Sequence, residues 1–115
     1  MGNISTNLFN ISPKDIFIPS IVVYELEVGI AKSNDSQKRQ EQLKRLLSQI
    51  NIMDFTQKEA VQSAKIRADL EKKGTPIGSI DVLIAGCAKA NNLILVTRNT
   101  KEFQRVENLQ IVDWY

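Results

Sequence analysis

A chain of 115 residues, 43% hydrophobic and 24% charged, has the size and composition of one soluble globular domain with a single core. Fifteen basic against thirteen acidic residues leave a formal charge of +2, which excludes a strongly basic polyanion binder without opposing a polyanionic ligand. Histidine is absent and cysteine occurs once, so Ser-His and Cys-His catalysis, imidazole-ligated metals and intrachain disulfides are excluded.

Chemistry in such a chain must run on oxygen, and the cations that carboxylates, amides and hydroxyls hold unaided are hard ones such as Mg2+ or Mn2+. The first ten residues lack the basic start and long apolar region of a signal peptide, and no apolar run reaches the ~20 residues that span a bilayer. A cytoplasmic protein without a membrane segment is expected.

In chain order, residues 1–12 show neither helical nor strand periodicity and read as an irregular lead-in. Residues 15–19 form a β-prone run, and Ser20 follows as the N-cap of a helix over residues 21–33. In that helix Glu27 shares a polar stripe with Ser20 and Asn34, whereas Glu25 falls beside Ile21, Val28 and Gly29. Glu25 is therefore expected on the apolar side and Glu27 in water, the alternative being a Glu25 that is partly exposed and paired with Lys32.

Residues 37–50 place Leu43, Leu46, Leu47 and Ile50 at i, i+3, i+4 and i+7, with Lys38, Arg39, Lys44 and Arg45 read as a solvated face. A strand over residues 50–55 follows. Thr56-Gln57-Lys58-Glu59 is a capping box, and the helix it opens is expected to bury Ala60, Val61, Ala64 and Ala68 and to stop at Gly74.

Asp81 then stands at the head of an uncharged run, residues 82–88, in which Cys87 takes the place of a small hydrophobe. A strand over residues 93–97, a polar turn over 98–102 and a last strand over 109–114 complete the chain. Alternating strands and helices predict an α/β fold, a parallel sheet with helices on both faces, as one domain over residues 1–115.

Ligands of parallel sheets bind beyond the carboxyl ends of the strands, where Asp81 and Asn99 both belong. Asp81 either stabilises the helix dipole or holds something positive, and the uncharged run behind it makes an unpaired buried acid costly. Asn99 and Glu102, with Arg98 and Lys101 beside them, suit a solvated turn as well as a phosphate-binding rim.

Three blocks together resemble one family: Ile18-Pro19-Ser20-Ile21-Val22-Val23-Tyr24-Glu25-Leu26-Glu27-Val28-Gly29-Ile30-Ala31-Lys32-Ser33, Lys73-Gly74-Thr75-Pro76-Ile77-Gly78-Ser79-Ile80-Asp81-Val82-Leu83-Ile84-Ala85, and Leu95-Val96-Thr97-Arg98-Asn99-Thr100-Lys101-Glu102-Phe103. In this order, across residues 13–115, they are similar to the PIN domains of VapC-type toxin ribonucleases from bacterial toxin–antitoxin pairs. The resemblance implies a three-layer PIN-like fold and a metal-dependent endoribonuclease that hydrolyses RNA phosphodiesters with one or two Mg2+ or Mn2+ ions. It implies Glu25, Asp81, Asn99 and Glu102 as the catalytic set and Glu25, Asp81 and Asn99 at the metal, with Asn99 and Glu102 acting through water. A cognate antitoxin and a homo-oligomer are the implied protein partners.

Members of that family open with an apolar strand ending in an Asp-Thr-Asn-like motif, at the centre of the sheet. Ser5-Thr6-Asn7 echoes it only faintly, so an N-terminally truncated form is expected, with one carboxylate fewer, two unpaired inner sheet edges, and marginal stability or oligomerisation. The competing reading is a non-catalytic remnant that acts by protein contact with an antitoxin. A doubly wound module binding phosphate through Asp81 and Thr97 is a third, and it leaves Glu25 unassigned.

Overall fold

The computed structural model describes residues 12–113. A 3-10 turn at Pro13–Asp15 leads into strand β1, Phe17–Pro19, followed by helix α1, Ser20–Ala31, helix α2, Ser36–Leu47, and strand β2, Asn51–Met53. Helices α3, Gln57–Lys72, and α4, Ser79–Ala90, come next, then strand β3, Leu95–Val96, the single-turn helix α5, Thr100–Phe103, and strand β4, Ile111–Val112. Most of the predicted lead-in, residues 1–11, and the end of the predicted last strand at Trp114 lie outside the described residues.

Both strand pairs are parallel, β1 on β2 with Ile18 opposite Ile52, and β3 on β4 with Leu95 opposite Ile111. The α/β class with parallel strands is as the sequence predicts, although each strand is shorter. Among the described residues the pairs form two separate two-stranded sheets, and no ladder joins β1 to β3.

The core sits on α3 and α4. Ile66, Leu70, Val82, Ala85, Phe103 and Val106 form a buried cluster, with Ile77, Ile84, Leu95, Leu109 and Ile111 packed at its edge. Here the sequence reading of α3 is overturned: Ala60, Val61, Ala64 and Ala68 are exposed, and Glu59, Ser63, Ile66 and Leu70 point inward. Burying two large aliphatic side chains removes far more apolar surface than burying four small ones, so Ile66 and Leu70 set the rotation of the helix. The helices touch where neither has bulk: a methyl group added to Gly86 would lie 1.8 Å from Ser63 Oγ and 2.9 Å from Ser63 Cβ.

Glu59 tolerates burial because every neighbour donates to it. Its carboxylate accepts from the Thr56 hydroxyl, from the Thr56 amide at 2.8 Å and from Asn91 Nδ2 at 2.9 Å, so the predicted capping box is extended into a clasp between the start of α3 and the end of α4. Asn91 Nδ2 also donates to the Cys87 carbonyl at 2.8 Å, and its Oδ1 accepts from Lys58 Nζ at 2.7 Å. Hydrogen bonds from the Thr56 hydroxyl, then from Asn91 and from the Thr56 amide, hold the Glu59 carboxyl at about 2, below its ordinary 4.5. A depressed pKa gives stability that is complete above the unfolded value and is lost as pH falls from 4.5 through about 2. Thermal unfolding of the wild type and Glu59→Gln between pH 6 and pH 2 checks this, and the wild type is expected to lose more Tm across that window.

Two smaller expectations are corrected. Ser20 is not the N-cap of α1: Pro19 occupies that position, in extended backbone, and Ser20 is the first helical residue. The polar turn over 98–102 contains a helix, α5, with Asn99 at its N-cap. The stop at Gly74 is as predicted, with a φ of +70° that glycine adopts without strain and a Thr75 amide that donates back to the Leu70 carbonyl at 2.9 Å. Cys87 is buried, and desolvation followed by the Glu59 charge pushes its thiol up to about 11, the state of an inert core residue. Among the described residues no helix is long and apolar enough to cross a membrane.

Candidate acidic centre

Asp81 is the third residue of α4, one turn inside a helix whose N-cap, Gly78, offers no side chain to the free amides. A methyl group on Gly78 would touch Asp81 Oδ2 at 3.4 Å, an ordinary contact, so the glycine leaves that oxygen open instead of relieving a clash.

What surrounds Asp81 is more acid. Its pKa is raised by burial, then by the negative charge of Glu102 and a hydrogen bond in which a protonated Asp81 donates to Glu102, and finally by the charge of Glu25. Three carboxylates from α4, α5 and α1 thus bear on one half-buried position. The Arg67–Glu71, Lys73–Asp69 and Lys73–Glu107 ion pairs lie on other residues.

Asn99 is tied to the same group. Its Nδ2 donates to Glu102 Oε2 at 3.2 Å, and its backbone amide donates to Thr97 Oγ1 at 3.0 Å, which fixes the turn between β3 and α5. Asn99-Thr100-Lys101-Glu102 has the spacing of a capping box, and this signal in the sequence was sufficient to place a helix start there.

Glu25 and Glu27 exchange the environments the helix wheel gives them. Glu25 is exposed, and Glu27 is half-buried and accepts from Gln40 Nε2 at 3.2 Å, joining α1 to α2. The cause is that α1 buries no residue among those described: its apolar side chains surround the whole helix, so no inner stripe exists for the wheel to find. The negative charge of Glu25, on the side of α1 away from Glu27, nonetheless bears on Asp81.

Hard oxygen donors around an unneutralised charge suit a divalent cation. Among the described residues no three acidic side chains are close enough to enclose one by themselves, so the donor set fits an ion held through one or two carboxylates and water.

Comparison with known proteins identifies the family. The PIN domain family profile matches residues 4–109, beginning earlier than the resemblance over residues 13–115. The chain is 43% identical over 99 residues to ribonuclease VapC2 of Rickettsia felis, covering 86% of this chain and 74% of that protein. It is 35% identical over 106 residues to the tRNA(fMet)-specific endonuclease VapC of Salmonella typhimurium, covering 92% and 80%. In structure it is similar to DNA-bound VapBC of Salmonella typhimurium, with a TM-score of 0.90 over 95% of this chain and 83% of that one at 34% identity. Against VapBC2 of Rickettsia felis bound to a promoter DNA fragment, the TM-score is 0.83 over 87% and 75% at 43% identity. With a family profile over residues 4–109 and this extent of similarity, the chain belongs to the PIN-domain family, among the VapC-type ribonucleases.

Proposed function

We infer that this chain is a metal-dependent endoribonuclease, the toxin of a toxin–antitoxin pair, acting in the cytoplasm as one PIN-like domain over residues 1–115. The observation that carries the reading is the raised pKa of Asp81, caused by burial and by Glu102 and Glu25 together. Like charges gathered at a half-buried point are unfavourable to folding, and a bound cation reverses that cost.

In this reading Asp81 and Glu25 hold Mg2+ or Mn2+, with Asn99 contributing at the same ion. When bound, the ion polarises the phosphodiester and makes water a stronger acid. The remaining work belongs to the chain. Asn99 fixes one oxygen of Glu102 through its 3.2 Å hydrogen bond and leaves the other to accept a proton from water. The first turn of α4 offers its positive end to the substrate's phosphate oxygens. The absence of a side chain at Gly78 leaves Asp81 Oδ2 uncovered on that side.

The RNA substrate is supported by the names of the relatives, and the antitoxin partner by their complexes. Homo-oligomerisation is supported by the exposed apolar stripe of α3, where Val61 is 44% exposed beside Ala60, Ala64 and Ala68. Non-catalytic protein contact is favoured by the lack of a three-acid set among the described residues.

Mn2+ titration followed by electron paramagnetic resonance, alongside RNA cleavage with Mg2+, Mn2+ or chelator, separates the two. One bound Mn2+ and chelator-sensitive cleavage are expected. No binding at millimolar Mn2+, with intact RNA, would leave protein contact as the function.

A further inference from the structure

Helix α2 carries Lys38, Arg39, Lys44 and Arg45 against one acid, Glu41, in a chain whose net charge is only +2. All four cations are exposed, and none of them is in an ion pair among the described residues. Such a concentration of unneutralised charge on one helix attracts phosphates.

The route from this helix to the acidic centre crosses α1. The Glu27–Gln40 hydrogen bond marks the side of α1 that faces α2, α1 also packs against α4, and Glu25 lies on the side of α1 away from Glu27. At about 100° per residue, Tyr24 projects between those two sides. Tyr24 is 62% exposed, the most exposed large hydrophobic side chain among the described residues. An aromatic ring standing in water between a reactive centre and a cation-rich helix has the form of a platform for an unpaired base. Helix α1 is about 10 Å across, a span of a few nucleotides.

We propose that single-stranded RNA runs from the acidic centre across α1 onto α2, with a base near the cleaved bond stacked on Tyr24 and the flanking phosphates held by Lys38, Arg39, Lys44 and Arg45. Tyr24 is a positioning residue, and the α2 cations set affinity without reading sequence. Charge favours RNA over a protein partner here, since a helix with four cations against one acid matches a continuous polyanion. This surface deepens the ribonuclease reading and rests on it.

The test measures RNA binding without metal, so that binding and cleavage are read separately. In the full chain, Tyr24→Ala is expected to weaken binding of a single-stranded RNA about tenfold or more, and Tyr24→Phe by less than about twofold. Neutralising the four α2 cations to Gln is expected to flatten the dependence of log affinity on log salt by about 0.7 for each phosphate whose charge the helix no longer neutralises. Ultraviolet crosslinking of 5-bromouridine RNA to the wild type, mapped by mass spectrometry, should give adducts on α1 and α2 peptides. Unchanged affinity in both variants, or adducts confined to other elements, overturns the proposal. So does an effect of Tyr24→Ala on antitoxin binding alone. If these dependencies hold but no metal-dependent cleavage occurs, the surface stands and the catalytic reading fails.

Discussion

Replacing Asp81 with asparagine is expected to lower metal-dependent RNA cleavage by about a hundredfold or more while leaving Tm unchanged or higher. Asparagine keeps the shape of the side chain and removes the charge. The carboxyl is raised by burial, by Glu102 and by Glu25, so its ionised form is disfavoured in the folded chain, and that penalty operates at neutral pH. It shrinks as pH falls through the folded pKa and is gone only below the ordinary value of 3.8, so near neutrality the amide relieves a penalty that the acid imposes. The opposite signature identifies a capping acid: loss of a first-turn carboxylate costs about 0.3 to 1 kcal/mol and leaves catalysis intact. Cleavage assays and thermal unfolding on the same preparation therefore decide the role of Asp81. A variant that melts lower and still cuts RNA removes it from the centre.

Gly86→Ala is expected to destabilise the fold by about 3 kcal/mol, lowering Tm by more than about 10 °C. The added methyl would meet not only Ser63 Oγ at 1.8 Å but also Ser63 Cβ at 2.9 Å and its backbone Cα at 3.0 Å, so a change of rotamer cannot clear it. The helices would have to separate, loosening Ile66, Leu70, Val82 and Ala85 together. Ser63→Ala should be neutral or mildly stabilising, because Ser63 Oγ is buried without a hydrogen-bond partner among the described residues. Ser63→Gly combined with Gly86→Ala moves the small residue to the other helix and should recover part of the loss. Strict additivity of the two changes would show that the helices do not meet there.

What was legible in the sequence was what depends on neighbours along the chain. The Thr56–Glu59 box, the Gly74 stop and the apolar run behind Asp81 are local signals, and each stands where the sequence puts it. What failed depends on rotation about a helix axis, which only packing sets. Ala60, Val61, Ala64 and Ala68 were expected inside α3, but the larger side chains of Ile66 and Leu70 decided its orientation. In α1 the wheel assigned an inner face to a helix that buries none of its residues, so Glu25 was expected inside for a reason that does not hold. Its proximity to Asp81 came from family resemblance, not from periodicity. The Asn99–Glu102 pair had a legible spacing, but four polar residues in succession read more readily as a turn.

The unequal burial of the two halves has a thermodynamic consequence. The buried cluster lies in α3, α4 and the segment after them, whereas α1 contributes no buried residue and α2 only Leu43. Segments with little buried apolar surface open at low free energy, independently of the rest. Amide hydrogen exchange is therefore expected to be faster across α1, which carries Glu25, than across α3 and α4, so the carboxylate that α1 contributes is the most loosely held of the set.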